Sequence, residues 1–130
     1  MVVDTSALVA ILTLEPEAVR LAAALESDTI RLISAATVVE TGVVIESRYG
    51  HNGGRELDLL LAKAGLSVEA VTPQQAEMAR DAWRRYGRGR HAAGLNFGDC
   101  FSYALAKVTG ESLLFRGDDF TRTDIAPTPY

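Results

Sequence analysis

Short apolar runs alternate with helical segments along the whole chain, and this alternation constrains the fold more than any other feature. Met1–Val3 is apolar and stops at Asp4. Thr5–Leu14 reads as a helix, and Pro16–Glu26 as a second with proline in its first turn, where a missing N–H costs little. Thr29–Ile33 reads as a strand, Ala35–Arg48 as a helix and Gly50–Gly54 as a turn. Arg55–Ala64 is helical with Gly65 as its terminator, and Leu66–Val71 is a strand. Thr72, Pro73 and Gln75 open the next helix as N-cap, first residue and capping-box partner, and it runs to about Tyr86. A Gly/Arg-rich loop, Gly87–Gly98, precedes a helix over Asp99–Val108 that Gly110 stops. Ser112–Phe115 is the last strand. Strands alternating with helices imply βαβ units and a mostly parallel sheet. In such sheets ligands bind beyond the carboxyl ends of the strands, where strand order reverses.

At 130 residues the chain has the size of one domain. With 48% hydrophobic and 23% charged residues it is too apolar for disorder. Seventeen acids against thirteen bases give a net charge of −4, which argues against gripping nucleic acid by bulk charge but leaves room for a local basic patch. The lone Cys100 has no partner for a disulfide or a cysteine-based zinc site. Asp4 interrupts the apolar start and no Lys or Arg precedes it, so no signal peptide is expected. No run approaches the ~18 uninterrupted apolar residues of a membrane span. These features point to a cytoplasmic protein without a membrane role.

The acids at the expected ligand edge carry the functional reading. Asp4 sits where a buried strand hands over to a helix, as N-cap or as ligand. Glu40 has Ala36, Thr37, Val43 and Val44 as helical neighbours, an apolar face with no base within one turn. It is paired with a distant arginine, placed on a helix edge, or part of a site, since Glu is rarely buried alone. Asp99 enters the sixth helix, and Asp118 and Asp119 follow the last strand. Each taken alone fits a cap or a turn. Together they would repel: two unit charges ~4 Å apart cost about 4 kcal/mol at an effective dielectric of roughly 20. Such a cluster takes up protons or binds a cation, and an all-oxygen site suits Mg²⁺ or Mn²⁺. A divalent ion that keeps most of its water is recurring apparatus for phosphodiester hydrolysis.

Val3-Asp4-Thr5-Ser6-Ala7-Leu8, Glu40 on the third helix, the run from Asn96-Phe97-Gly98-Asp99 to Ala106, and Leu113-Leu114-Phe115-Arg116-Gly117-Asp118-Asp119-Phe120 together resemble a PIN domain. More narrowly, the whole chain resembles the VapC toxins of type II toxin–antitoxin modules. The resemblance implies a single PIN domain over residues 1–130, a three-layer α/β/α sandwich around a mostly parallel sheet of four or five strands. It implies a metal-dependent endoribonuclease using Mg²⁺ or Mn²⁺. Asp4, Glu40 and Asp99 match the family's acidic triad, and Asp118, or Asp119 in its place, the fourth acid. Asp4, Asp99 and that fourth acid are the expected metal ligands, with Ser6 supporting the first. The family also implies a VapB antitoxin, whose tail places a basic side chain near the acids, and a toxin homodimer.

Arg80, Arg84, Arg85, Arg88 and Arg90 fall within one short segment against a single acid, Asp81. They form either a solvated helix end or a phosphate-contacting stripe, in which Arg84, Arg85 and Arg88 are the expected RNA contacts. Tyr86 and His91 among them offer faces for unpaired bases. Trp83 reads as a core or dimer contact. A phosphoacceptor receiver shares the length and alternation. It needs an aspartate after the third strand, where Thr72-Pro73 stands here, and a lysine after the fifth, whereas Lys63 and Lys107 lie in helices.

Overall fold

The computed structural model describes residues 1–130. Four strands, β1 (Val2–Val3), β2 (Leu32–Ser34), β3 (Ser67–Glu69) and β4 (Leu113–Leu114), form one parallel sheet in the order β3-β2-β1-β4. Five helices surround it: α1 (Thr5–Leu12), α2 (Ala18–Ser27), α3 (Ala35–Lys63), α4 (Pro73–Tyr86) and α5 (Phe97–Thr109). None is long and apolar enough to cross a membrane.

The period-two rule of a strand separates the helices into two layers. Val2 and Leu113 belong to a core shared with α4 and α5, through Ala79, Ala82, Tyr103 and Leu105. Val3, Ile33 and Leu114 belong to the opposite core, with Leu8 of α1, Leu21 and Leu25 of α2, and Leu57 of α3. The result is an α/β/α sandwich of four strands. β1 is flanked by β2 on one side and β4 on the other, so strand order reverses at β1. Asp4 follows β1, and the Asp118–Asp119 turn comes after its neighbour β4.

Local chemistry accounts for most element ends. Thr72 Oγ1 accepts from the Gln75 N–H at 3.2 Å and Pro73 starts α4, although no reciprocal bond from Gln75 closes a capping box. Gly110 ends α5 in the left-handed region, φ 75°. Pro16 lies one residue ahead of the α2 cap, Glu17, rather than inside the helix. Two helical segments of α3 meet at a sharp kink at Gly50, φ 64° and ψ −159°, so the break expected over Gly50–Gly54 falls on Gly50 alone and the residues after it are already helical. Gly50 supplies the positive φ of the kink, and Gly53 and Gly54 serve close packing across it. A Cβ on Gly53 would lie 2.8 Å from Ile45 Cγ2 and 2.9 Å from Tyr49 Cβ.

The C-terminal tail is pinned by Asp124. The fully buried Tyr103 donates to Asp124 Oδ1 at 2.7 Å, and Lys107 Nζ and Arg85 Nη2 lie 3.1 and 3.4 Å from Oδ2. Burial alone would raise this carboxyl, but the bonds from Tyr103 and Lys107 and the nearby charges outweigh it and hold its pKa at about 2. A depressed folded pKa contributes stability above the unfolded value of 3.8 that is lost as pH falls through about 2. Asp124→Asn is expected to cost about 1 kcal/mol near neutrality, a modest figure because the group is partly exposed. In urea denaturation the difference should vanish between pH ~4 and ~2.

Candidate active site

Asp4 closes β1 and caps α1 with an extended backbone, φ −90° and ψ 158°. Its Oδ2 accepts from the Ser6 N–H at 2.9 Å and from Ser6 Oγ at 2.6 Å. The cap therefore occupies one oxygen only. Oδ1 is buried and accepts no hydrogen bond. Leaving a buried acceptor unpaired costs about 1–3 kcal/mol, so this orphaned oxygen is destabilising unless something outside the chain meets it. Ser6 Oγ accepts in turn from the Arg116 N–H at 3.0 Å, which fastens the end of β4 to the end of β1. The Arg116 side chain leans on the α1–α2 connection, with Nε 3.1 Å from Glu15 Oε2.

Asp99 is not the first residue of its helix. Asn96 is the N-cap and Asp99 the third helical position, in a reciprocal capping box: the Asp99 N–H donates to Asn96 Oδ1 at 2.9 Å, and the Asn96 N–H to Asp99 Oδ2 at 2.8 Å. The carboxyl is buried, and burial together with the charges of Asp4, Asp119 and Glu40 pushes its pKa up to about 7 against the bond from Asn96. Glu40 approaches from the first turns of α3. Its Oε2 accepts from Thr5 Oγ1 at 2.7 Å, and burial, opposed by that bond and aided by the charge of Asp4, raises its pKa.

These mutual effects place Asp4, Glu40, Asp99 and Asp119 in one electrostatic neighbourhood at the strand ends. Asp118 and Asp119 are both exposed, and it is Asp119 whose charge acts on Asp99. No three carboxylates gather round one point closely enough to cage an ion. The donor chemistry nevertheless fits a hard divalent cation. An orphaned Oδ1 on Asp4 and a charge-frustrated Asp99 are what a cation relieves, and Mg²⁺ commonly takes one or two carboxylates and keeps its waters.

The arginines divide by their partners. Arg80 pairs with Glu77 at 2.8 Å, and Arg85 is committed to Asp124, to Asp81 at 3.7 Å and to the Tyr86 hydroxyl at 2.8 Å. Arg90 stacks over the Trp83 ring at 4.1 Å. Arg84 and Arg88 are exposed and pair with no acid. Tyr86 meets His91 edge-on at 5.2 Å and packs toward Tyr103. Cys100 is buried behind Asp99, and burial plus that charge push its thiol up to about 11, which leaves it a small core residue. Beside Asp99, α4 and α5 enclose a groove of about 520 Å³ lined by Trp83, Phe97 and Phe101. Phe97 is 81% exposed.

Three contacts had no signal in the sequence: Thr5 on Glu40, the Arg116 N–H on Ser6, and Gly98 against the Glu40 carboxylate. All join residues far apart in the chain.

The PIN domain family model matches residues 1–126. A ribonuclease named VapC30 from Mycobacterium tuberculosis is 60% identical over 126 residues, covering 97% of this chain and 96% of its own. Among solved structures, M. tuberculosis VapC20, described as a Sarcin-Ricin loop cleaving toxin, superposes with a TM-score of 0.78 at 22% identity, over 96% of this chain and 95% of that one. A chain from a toxin–antitoxin complex of Klebsiella pneumoniae superposes with a TM-score of 0.73 at 21% identity, over 99% of this chain and 97% of its own.

Proposed function

Because the chain belongs to the PIN-domain family and, within it, to the VapC ribonuclease toxins, we propose that its site hydrolyses RNA phosphodiesters with a Mg²⁺ or Mn²⁺ ion held by Asp4, Asp99 and one aspartate of the Asp118–Asp119 pair. Glu40 completes the catalytic acids. The observation that carries this is the buried, unpartnered Oδ1 of Asp4 beside an Asp99 held protonatable near pH 7. When bound, such an ion lowers the pKa of a bound water and neutralises charge on the scissile phosphate.

The chain's own groups do the rest. Ser6 and the Asn96 N–H each engage one oxygen of an acid, which aims the remaining oxygen of Asp4 and Asp99. Glu40, fixed by Thr5, stands close enough to feel the Asp4 charge. Of the fourth-acid pair, Asp119 is the better placed, because its charge reaches Asp99. Arg84 and Arg88 present unpaired guanidinium groups for RNA phosphates, with Arg85 a weaker contributor because its fork is engaged.

Residues 1–130 work as a single PIN domain in the cytoplasm under an antitoxin. The exposed Leu14 after α1, Val19 on α2, and Val39 and Val43 on α3 supply apolar contacts for the antitoxin, the last two flanking Glu40 in sequence. The toxin is a homodimer joined through the groove of Trp83, Phe97 and Phe101. Light scattering on purified protein should give twice 14.0 kDa. RNA should be cut with Mg²⁺ or Mn²⁺ and spared with EDTA, and expression should arrest growth unless the antitoxin is coexpressed. Intact RNA with both ions would sink the proposal.

A further inference from the structure

Glu40 reaches the site on a flexible side chain from a helix that carries no other acid of the cluster, so something must hold it. Freezing such a side chain costs up to about 1.5–2 kcal/mol of rotamer entropy. Two contacts oppose that cost, and each comes from an element that already carries another acid. Thr5, the residue after Asp4 and the first of α1, donates from Oγ1 to Glu40 Oε2 at 2.7 Å. Gly98, the residue before Asp99, lies against the same carboxylate, and a Cβ there would overlap its Cδ and both oxygens.

Gly98 is helical and its φ is not positive, so glycine is needed there for space and not for conformation. Thr5 is itself packed by the buried Thr41, whose Oγ1 lies 3.2 Å from Thr5 Oγ1 and 2.8 Å from its own acceptor, Thr37 O. With one proton between two acceptors, Thr41 gives the shorter bond to Thr37 and serves Thr5 mainly by fixing its rotamer.

We infer that Thr5 and Gly98 are positioning residues that set the Glu40 carboxylate relative to Asp4 and Asp99. One is a hydroxyl clamp from the start of α1, and the other is a Cβ-free seat from the start of α5. The inference rests on the ribonuclease reading. It makes the spacing of the three acids a property of two helix starts, not of the α3 backbone alone.

Steady-state RNA cleavage by the full chain with Mg²⁺ tests it. Thr5→Val keeps the shape and removes the donor, and should lower kcat about tenfold with KM within about twofold. Thr5→Ser should recover most of that loss. Gly98→Ala should lower kcat at least as far. In a Glu40→Gln background neither substitution should reduce the residual rate further, because the group they position is gone. Crystal structures of the metal-free variants supply a readout apart from activity: the Glu40 carboxylate should be displaced in Thr5→Val and Gly98→Ala and in place in Thr5→Ser.

A wild-type rate for Thr5→Val, additive losses in the Glu40→Gln background, or an unmoved carboxylate overturns the inference. Should Gly98→Ala not fold, the Thr5 pair decides alone. Should Glu40→Gln be too slow to measure, the serine rescue and the crystal structures decide. A wild-type protein that leaves RNA intact fails the ribonuclease reading instead, while the metal-free structures still report on the clamp.

Discussion

Asp99→Asn is expected to abolish RNA cleavage while making the metal-free protein harder to melt. The loss of activity should be about 10²-fold or more, the scale seen when a group engaged with the transition state is removed. The gain in stability follows from proton linkage. Burial and the charges of Asp4, Asp119 and Glu40 raise the folded pKa of Asp99 from 3.8 to about 7. Between these two values the folded chain holds a proton that the unfolded chain releases, so stability falls as pH rises from about 4 to about 7. Asparagine cannot ionise and escapes this penalty, while its carbonyl still accepts from the Asn96 N–H. In EDTA at pH 8 the variant should melt roughly 5 °C above wild type, and near pH 4 the advantage should be gone. Mg²⁺ should raise the wild-type melting temperature and leave the variant nearly unmoved. A variant that melts lower at every pH would mean that Asp99 is an ordinary helix-start acid, with no stored repulsion for a cation to relieve.

The legibility of the sequence follows the range of the interactions. Thr72, Pro73 and Gly110 act through bonds spanning a few residues, and their element ends were readable. Asp4 was readable as a cap or a ligand, and its two oxygens divide those roles. Asp99 reads as a helix start, but the stronger cap is Asn96, three residues earlier, so the helix begins two residues before it. The Gly50–Gly54 run reads as a break, and the chain does kink at Gly50, but the break is shorter than the run because Gly53 is needed for close packing on Ile45 and Tyr49 across the kink. Glu40 stood out as a lone acid on an apolar face, yet nothing in its own helix pointed to Thr5 or Gly98. The arginine segment was visible as charge alone, because the partner that engages Arg85, Asp124, lies 39 residues away.

That division among the arginines sets the second large effect. Arg84→Ala/Arg88→Ala should weaken RNA binding about tenfold or more, leave kcat at saturating RNA little changed, and leave the melting temperature within about 2 °C. Neither side chain pairs with an acid, so their removal strands no charge in the folded protein. Each phosphate contact to single-stranded RNA releases counterions and adds about 0.7 to the slope of log K against log salt, so the double variant should flatten that slope by about 1.4. Arg85→Ala should do the reverse, lowering stability because it takes a cation from Asp124 and a donor from the Tyr86 hydroxyl, with little change in the salt slope. A net charge of −4 is compatible with RNA binding on these terms. The acids of the site meet a cation, and the two free arginines act locally, since at physiological salt the field of more distant acids is screened within about 8 Å. If Arg85→Ala flattens the slope by as much per arginine as the double variant does, phosphate contact is spread along the whole segment and pairing to Asp124 does not withdraw Arg85 from RNA.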